Sequence, residues 1–352
     1  MSLYEQVADL TVRIEDYSLE AREAETADGG TRKTTVIAVS GDGETGRGED
    51  VTYTPEAHDA LVAAGSPVSA TGEFAFETIA AHIGETELFP DYDLERQSFR
   101  HYRRWGYESA ILDLALRQHG RSFPALFDRT YQPLRFINSM RFDEEPSMAP
   151  IERWLDIDPA MEFKLDTSPA WDRSFVRSLA ATDCVRVADL KGQYEGTTVD
   201  QPADPELYRL IAQELPNALI EDPKFTAQTE PILDDVLDRV TWDAPIEHVD
   251  DIKSLPTLPE AINIKPSRFG SVKGVLDAIE FCHERNIQPY SGGQTELDVG
   301  REQIQALAAT FYPDAPNDAA PSVYNDPDPP ADIPTSPLEP PVDTVGFRFP
   351  QE

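Results

Sequence analysis

The sequence predicts an α/β protein in two parts: an N-terminal α+β domain followed by a closed, eight-stranded β/α barrel. Three observations carry this. The chain has 352 residues, more than the ~100–200 of one ordinary domain, so two domains or one barrel with attachments are expected. Up to about residue 130, strand patterns come first and helical patterns second. Beyond it, short apolar runs alternate with helical stretches, the mark of parallel strands joined by right-handed crossovers. No Gly-x-Gly-x-x-Gly follows any of these runs, which favours a closed barrel over an open doubly wound sheet.

The elements follow in chain order. Residues 8–20 partly alternate apolar and polar, residues 34–40 (TTVIAVS) are β-branched, and G-D-G-E-T-G at 41–46 reads as the turn of an antiparallel meander. Residues 21–30 (AREAETADGG) are polar and end in two glycines, so they read as a flexible loop between the first two strands. Helical periodicity covers about 55–64, 73–83 and 98–118, with Tyr102, Trp105, Ile111, Leu112, Leu114 and Leu116 largely on one face. The apolar runs that follow are 134–139, 161–166, 184–189, 217–222, 239–243, 261–265 and 286–291. Ser168 before Pro169 and Asp204 before Pro205 read as helix caps with proline at the first helical position. These boundaries give domains at 1–130 and 131–325. A proline-rich acidic tail at 326–352 is expected to dock its closing Val345, Phe347 and Phe349 on the first domain.

Charge excludes some functions. Lys plus Arg number 30 against 65 Asp plus Glu, a net charge of −35. Such a field repels phosphate backbones and anionic membranes, which argues against nucleic-acid and membrane partners. With 40% hydrophobic residues the chain still has the apolar surface for a core. The acidity therefore reads as the solvated surface of a salt-adapted protein. Cys184 and Cys282 have neither metal-type nor redox-type spacing, there is no apolar run of membrane-span length, and MSLYEQVADL lacks the pattern of a secretory leader. A cytoplasmic protein is expected.

In a β/α barrel the chemistry stands at the C-terminal ends of the strands. There the runs end in Lys164 and Asp166, Asp189 and Lys191, Glu221 and Asp222, Asp243, Lys265, and finally lead to Glu296. Taken singly, a strand-end Asp or Lys is more often a cap or a solvated rim residue. Three consecutive strands delivering Asp189, Glu221 and Asp243 to one rim are different, because crowded carboxylates need a cation. A hard, oxygen-preferring ion is implied, with Mg²⁺ the best fit. Lysine is scarce, with seven in the chain. Placing Lys164, Lys191 and Lys265 at strand ends points to general acid–base work.

At D-L-K-G (189–192), L-I-E-D-P (219–223), W-D-A-P-I (242–246) and I-N-I-K-P-S-R-F-G (262–270) the second domain resembles the enolase superfamily, in its muconate cycloisomerase and dipeptide epimerase branch. G-G-Q-T-E at 292–296 and N-D-A-A-P at 317–321 extend the likeness, and G-R-G-E-D at 46–50 and Y-E-S-A-I-L-D-L-A-L at 107–116 resemble the family's capping domain. The resemblance implies a modified TIM-type (β/α) barrel with an N-terminal α+β capping domain. It also implies Mg²⁺ on Asp189, Glu221 and Asp243, catalytic Lys164 and Lys265 on opposite faces of the substrate, and an enediolate stabilised where its charge develops. Asn138, Lys191, Glu296 and Asp318 would contact substrate, and the 21–30 loop would set specificity. A small carboxylate is the implied substrate, and a homo-oligomer the implied assembly.

Three departures bear on the reaction. The branch carries Lys-x-Lys where this chain has Lys164-Leu165-Asp166, Lys191 stands where relatives often have an amide, and Asp243 is followed by alanine rather than glutamate. One base would suit elimination better than racemisation. Two other classes of function compete: a metal-binding barrel that has lost turnover, and a Schiff-base aldolase, which leaves the carboxylate triad without a purpose.

Overall fold

The computed structural model describes residues 1–25, 30–90, 92–142, 145–325 and 333–350. After a short helix α1 (Glu5–Ala8), strand β1 (Thr11–Ile14) leads into β2 (Asp16–Glu25), β3 (Thr31–Gly41) and β4 (Glu44–Asp50). The last three form an antiparallel sheet in the order β2-β3-β4, while β1 pairs with β5 (Gly72–Ala75). The stretch 8–20, expected as one strand, is therefore two, shared between two sheets. Residues 21–25 extend β2 opposite Thr31–Thr35 of β3 rather than opening a loop, and positions 26–29 of the expected loop lie outside the described residues.

Helices α2 (Pro55–Ala64), α3 (Phe76–Glu85) and α4 (Phe99–Gln118) close this layer. The glycines of G-R-G allow β4 to lie directly on α4. A Cβ at Gly46 would fall 2.2 Å from the Ala110 carbonyl oxygen, and one at Gly48 would fall 2.1 Å from that of Gly106. Helix α4 buries Tyr102, Trp105, Ile111, Leu112, Leu114 and Leu116, but not along one face as expected: every residue from Trp105 to Leu116 is buried, because β4 and the barrel cover it from different sides.

The barrel runs β6 (Asn138–Arg141), α5 (Ala149–Ile157), β7 (Phe163–Asp166), α6 (Arg173–Thr182), β8 (Val185–Asp189), α7 (Pro205–Glu214), β9 (Leu219–Glu221), α8 (Glu230–Leu233), β10 (Val240–Thr241), α9 (Val249–Ser254), β11 (Ala261–Ile264), α10 (Pro266–Phe269), α11 (Val272–Arg285), β12 (Gln288–Ser291) and α12 (Val299–Phe311). β6 through β10 are parallel neighbours in chain order, and β11 pairs with β12. Hydrogen bonds outside the strand ladders close the remaining gaps. Asn263 N–H donates to Trp242 O at 3.1 Å, Asp318 N–H to Ser291 O at 2.8 Å and Ile137 N–H to Asn317 O at 2.8 Å, so residues 317–318 serve as the eighth stave. The result is a capped TIM-type barrel. Asp204 caps α7 through the N–H groups of Glu206 and Leu207. Ser168 does not cap α6: Trp171 N–H turns back to Ser168 O, and Asp172 takes the cap by accepting from Phe175 N–H.

The end of the chain is fastened by aromatic packing. Phe347 and Phe349 are fully buried, whereas Val345, expected to dock with them, is 38% exposed. The Phe347 ring lies 4.4 Å from that of Phe123 and 6.2 Å from that of Trp105, while Phe349 meets Tyr131 at 5.2 Å. Among the described residues no helix is long and apolar enough to cross a membrane.

Candidate active site

Strands β8, β9 and β10 end at one level; Asp189 and Glu221 close β8 and β9, Asp243 stands two residues beyond the end of β10, and all three carboxylates turn to a common point. One carboxylate oxygen from each lies within 4.8 Å of the others, and all three side chains are fully buried. Backbone geometry at the strand ends sustains this. Asp222, at φ +50°, accepts from the Asp243 and Ala244 N–H groups at 2.8 and 2.9 Å, fixing the end of β10 against the end of β9.

Four cations surround the three carboxylates. Lys164 contacts Glu221 and lies 3.3 Å from Asp189 Oδ2. Lys191 Nζ lies 2.6 Å from Asp189 Oδ2 and 3.0 Å from Asp166 Oδ1, and Asp166 in turn meets Arg141 at 3.0 Å. Lys265 Nζ is 2.9 Å from Asp243 Oδ2, and Arg268 Nη1 is 2.7 Å from Asp243 Oδ1. Neutral donors complete the shell: Tyr194 OH donates to Asp243 Oδ2 at 2.7 Å, Asn263 Nδ2 to Glu221 Oε2 at 3.3 Å, and Tyr290 OH also to Glu221.

The electrostatics follow from this arrangement. Burial pushes the Asp189 carboxyl up, but the Lys191 and Lys164 ammonium groups outweigh it and hold Asp189 below the ordinary carboxylate range. Asp243 is held well below that range in the same way, with Arg268 and Lys265 overcoming burial. For Glu221, burial together with Asp189 and Asp243 wins over Lys164, and its carboxyl is pushed well up. Burial works against the Lys164 ammonium, yet the neighbouring Glu221 and Asp189 carboxyls hold it above the ordinary lysine range. Asp222, buried beside Asp243 and Asp189, is raised to about 7.

Three oxygen donors this close, one of them ionising reluctantly, fit a hard divalent cation, which would replace ammonium groups as the partner of the triad. Above the triad opens a cavity of about 990 Å³ whose lining includes Lys164, Lys191, Lys265, Asn138 and Asp318. The Asn138 amide nitrogen is buried without a hydrogen-bond partner among the described residues. Glu296 is placed differently. It lies under the cavity wall, accepting from Gln294 N–H at 2.7 Å with Arg301 at 3.4 Å, and Gln294 faces the cavity above it.

Sequence reasoning missed Arg268, Tyr194 and Tyr290. Arg268 carries a legible signal, three residues after Lys265 across a proline-initiated turn, which returns its side chain to the same side. Tyr194 reaches Asp243 from the irregular segment after β8, where no periodicity applies.

Several known proteins are similar to this chain. An o-succinylbenzoate synthase from Bacillus subtilis is 27% identical over 156 residues, a stretch that takes in 42% of this chain and 39% of that protein. Among solved structures, a mandelate racemase/muconate lactonizing protein from Herpetosiphon aurantiacus superposes with a TM-score of 0.69 at 17% identity, covering 97% of this chain and 99% of the other. A dipeptide epimerase from Methylococcus capsulatus, complexed with a magnesium ion, gives 0.63 at 17% identity, covering 87% and 89%. An enolase-superfamily member from Listeria innocua gives 0.62 at 18% identity, covering 96% and 90%. At these identities the likeness to the solved structures shows a shared fold alone. The models for the N-terminal and C-terminal domains of the family described as a domain of unknown function, DUF8230, match residues 5–126 and 130–326, and the chain belongs to that family.

Proposed function

We propose that this protein is an enzyme that uses magnesium to remove the proton α to the carboxylate of a small substrate. The observation that carries the reading is the buried Asp189–Glu221–Asp243 group with an ammonium on either side of it, Lys265 against Asp243 and Lys191 against Asp189, both lysines lining one cavity. Mg²⁺ held by the triad would supply positive charge at the substrate carboxylate, where negative charge accumulates on proton loss. The likeness to a magnesium-bound dipeptide epimerase supports that choice of ion.

Lys265 is the base, presented by the end of β11 and 8% exposed at the cavity wall. Lys164 and Lys191 supply positive charge from the opposite side. Lys164 is held among the carboxylates, whereas Lys191, steadied by Asp166, reaches the same side of the site from the next strand. That placement answers the missing second lysine of β7, since Asp166 brings in the ammonium that its own position lacks. Asn138 and Asp318 also line the cavity and orient the rest of the substrate.

The proton, once removed, is returned in an epimerisation or cycloisomerisation, or a β-leaving group departs. Incubation of a carboxylate panel in D₂O with Mg²⁺ separates the outcomes: deuterium at the α-carbon without net consumption marks the first, unsaturated product the second. Lys265→Ala is expected to abolish both while keeping Mg²⁺-dependent thermal stabilisation. Exchange in that variant at the wild-type rate would overturn the assignment. The four cations already neutralising the triad also fit a metal-binding barrel without turnover; retained Mg²⁺ stabilisation with no exchange across the panel would favour it.

A further inference from the structure

One guanidinium crosses from the capping layer to the barrel beside this site. Arg32, near the start of β3, is 5% exposed. A guanidinium has five N–H donors, and in Arg32 all five meet backbone carbonyls. Nη1 donates to Thr52 O at 2.7 Å and Lys33 O at 3.0 Å, Nη2 to Val51 O at 2.6 Å and Gln294 O at 2.9 Å, and Nε to Thr295 O at 3.2 Å.

Among the described residues no carboxylate takes part, in a chain with 65 acidic residues. Burying a cation against carbonyl dipoles alone is costly, so a fastening between the two layers would be built more simply as an ion pair. One exists nearby: Arg22 Nε meets Asp298 Oδ2 at 2.6 Å. What five carbonyls add is orientation, because the planar fork fixes the peptide groups it grips.

The gripped segment is the wall of the site. Thr295 is held at φ +58°, a conformation unfavourable for a β-branched residue. At the other end of the segment, a Cβ at Gly292 would lie 2.7 Å from Lys265 Cε, so the backbone here packs directly on the methylene chain that carries the ammonium. The face of Arg32 lies 4.5 Å from the Tyr53 ring centroid. Tyr53 OH donates to Gln294 Oε1 at 2.8 Å, and Gln294 Nε2 to Tyr102 OH at 3.3 Å. All three of these side chains line the cavity.

We propose that Arg32 is a positioning residue. By clamping Gln294 and Thr295 it holds the 292–296 segment against Lys265 and sets the Tyr53–Gln294–Tyr102 wall of the cavity. The capping layer thereby acts on the chemistry without touching the reacting atoms. This rests on Lys265 being the base, as set out above.

The test compares wild type, Arg32→Gln and Arg32→Lys, the last keeping the charge but offering fewer donors. The full-length protein is treated with acetic anhydride in the presence of Mg²⁺, and modification of each lysine is followed by peptide mass spectrometry. The clamp predicts that Lys265 is acetylated about fivefold or more faster in both variants, the size of effect expected from losing a restraint worth one hydrogen bond. Lys164 and Lys191 should keep their wild-type rates, and Mg²⁺ should still raise the melting temperature. An unchanged Lys265 rate, or equal acceleration at all three lysines, would overturn the proposal. The Lys265→Ala exchange experiment is independent: wild-type exchange there removes the reading beneath the proposal, whatever the labelling shows.

Discussion

Replacing Glu221 with glutamine tests the proposed metal site directly. Glu221 Oε1 accepts from Lys164, and Oε2 accepts from Tyr290 and from Asn263 at 3.3 Å. A glutamine fills the same volume but turns an NH₂ group toward a donor, leaving one buried donor unpartnered at about 1–3 kcal/mol. Loss of the charge offsets part of this, because burial and then Asp189, Asp243 and Asp222 disfavour ionised Glu221, against the favourable pull of Lys164. The metal-free variant should therefore melt at most ~6 °C below wild type, at roughly 2 °C per kcal/mol for a chain of this size. In wild type, Mg²⁺ at 100 times its Kd contributes about 2.7 kcal/mol, or roughly 5 °C. With two carboxylates in place of three, the variant should lose nearly all of that rise. The assay is thermal unfolding by circular dichroism across a MgCl₂ titration, with NaCl matched in ionic strength as control. A variant that keeps the full rise at the same Mg²⁺ midpoint would refute the triad as the metal site.

Other outcomes follow from the buried polar and aromatic groups. Arg103→Met removes the guanidinium that meets Asp50 at 2.7 Å, both side chains being buried, and should cost about 3–5 kcal/mol in denaturant unfolding because a carboxylate is left unpaired. His58 is buried with Thr35 Oγ1 at 2.9 Å and Thr52 O at 2.7 Å, and burial lowers its pKa. The unfolded chain therefore binds the proton that the folded chain resists, and stability should fall as pH drops below about 6.5, by up to ~1.4 kcal/mol per pH unit. Comparison of the stability–pH slope with that of His58→Gln isolates this contribution, and identical slopes would count against it. Phe347→Ala should lower stability by about 3–5 kcal/mol by opening a cavity beside Phe123 and Trp105, checked by urea unfolding.

Much of this molecule is written in local pattern. Helix α4, the alternating strands and helices, and the order Asp189, Glu221, Asp243 follow from apolar periodicity and from the rule that barrel chemistry stands at strand ends. The glycines Gly46 and Gly48 are visible as a motif, although their purpose, the close approach to α4, is not. The division of 8–20 between two sheets was not legible, since pairing partners lie far away in sequence and alternation looks the same in either sheet.

What the sequence determines by itself is the inventory: a capped barrel, a carboxylate on each of three successive strands, and a few lysines kept at their ends. The tertiary structure decides which groups face one another. It sets Lys164 among the triad, brings Lys191 beside Asp166 from a neighbouring strand, returns Arg268 and Tyr194 to Asp243, and turns Glu296 under the wall. The reason is that strand position fixes which rim a residue occupies, whereas side-chain direction there depends on turns with positive φ, at Lys191, Asp222 and Thr295, which apolar periodicity does not encode.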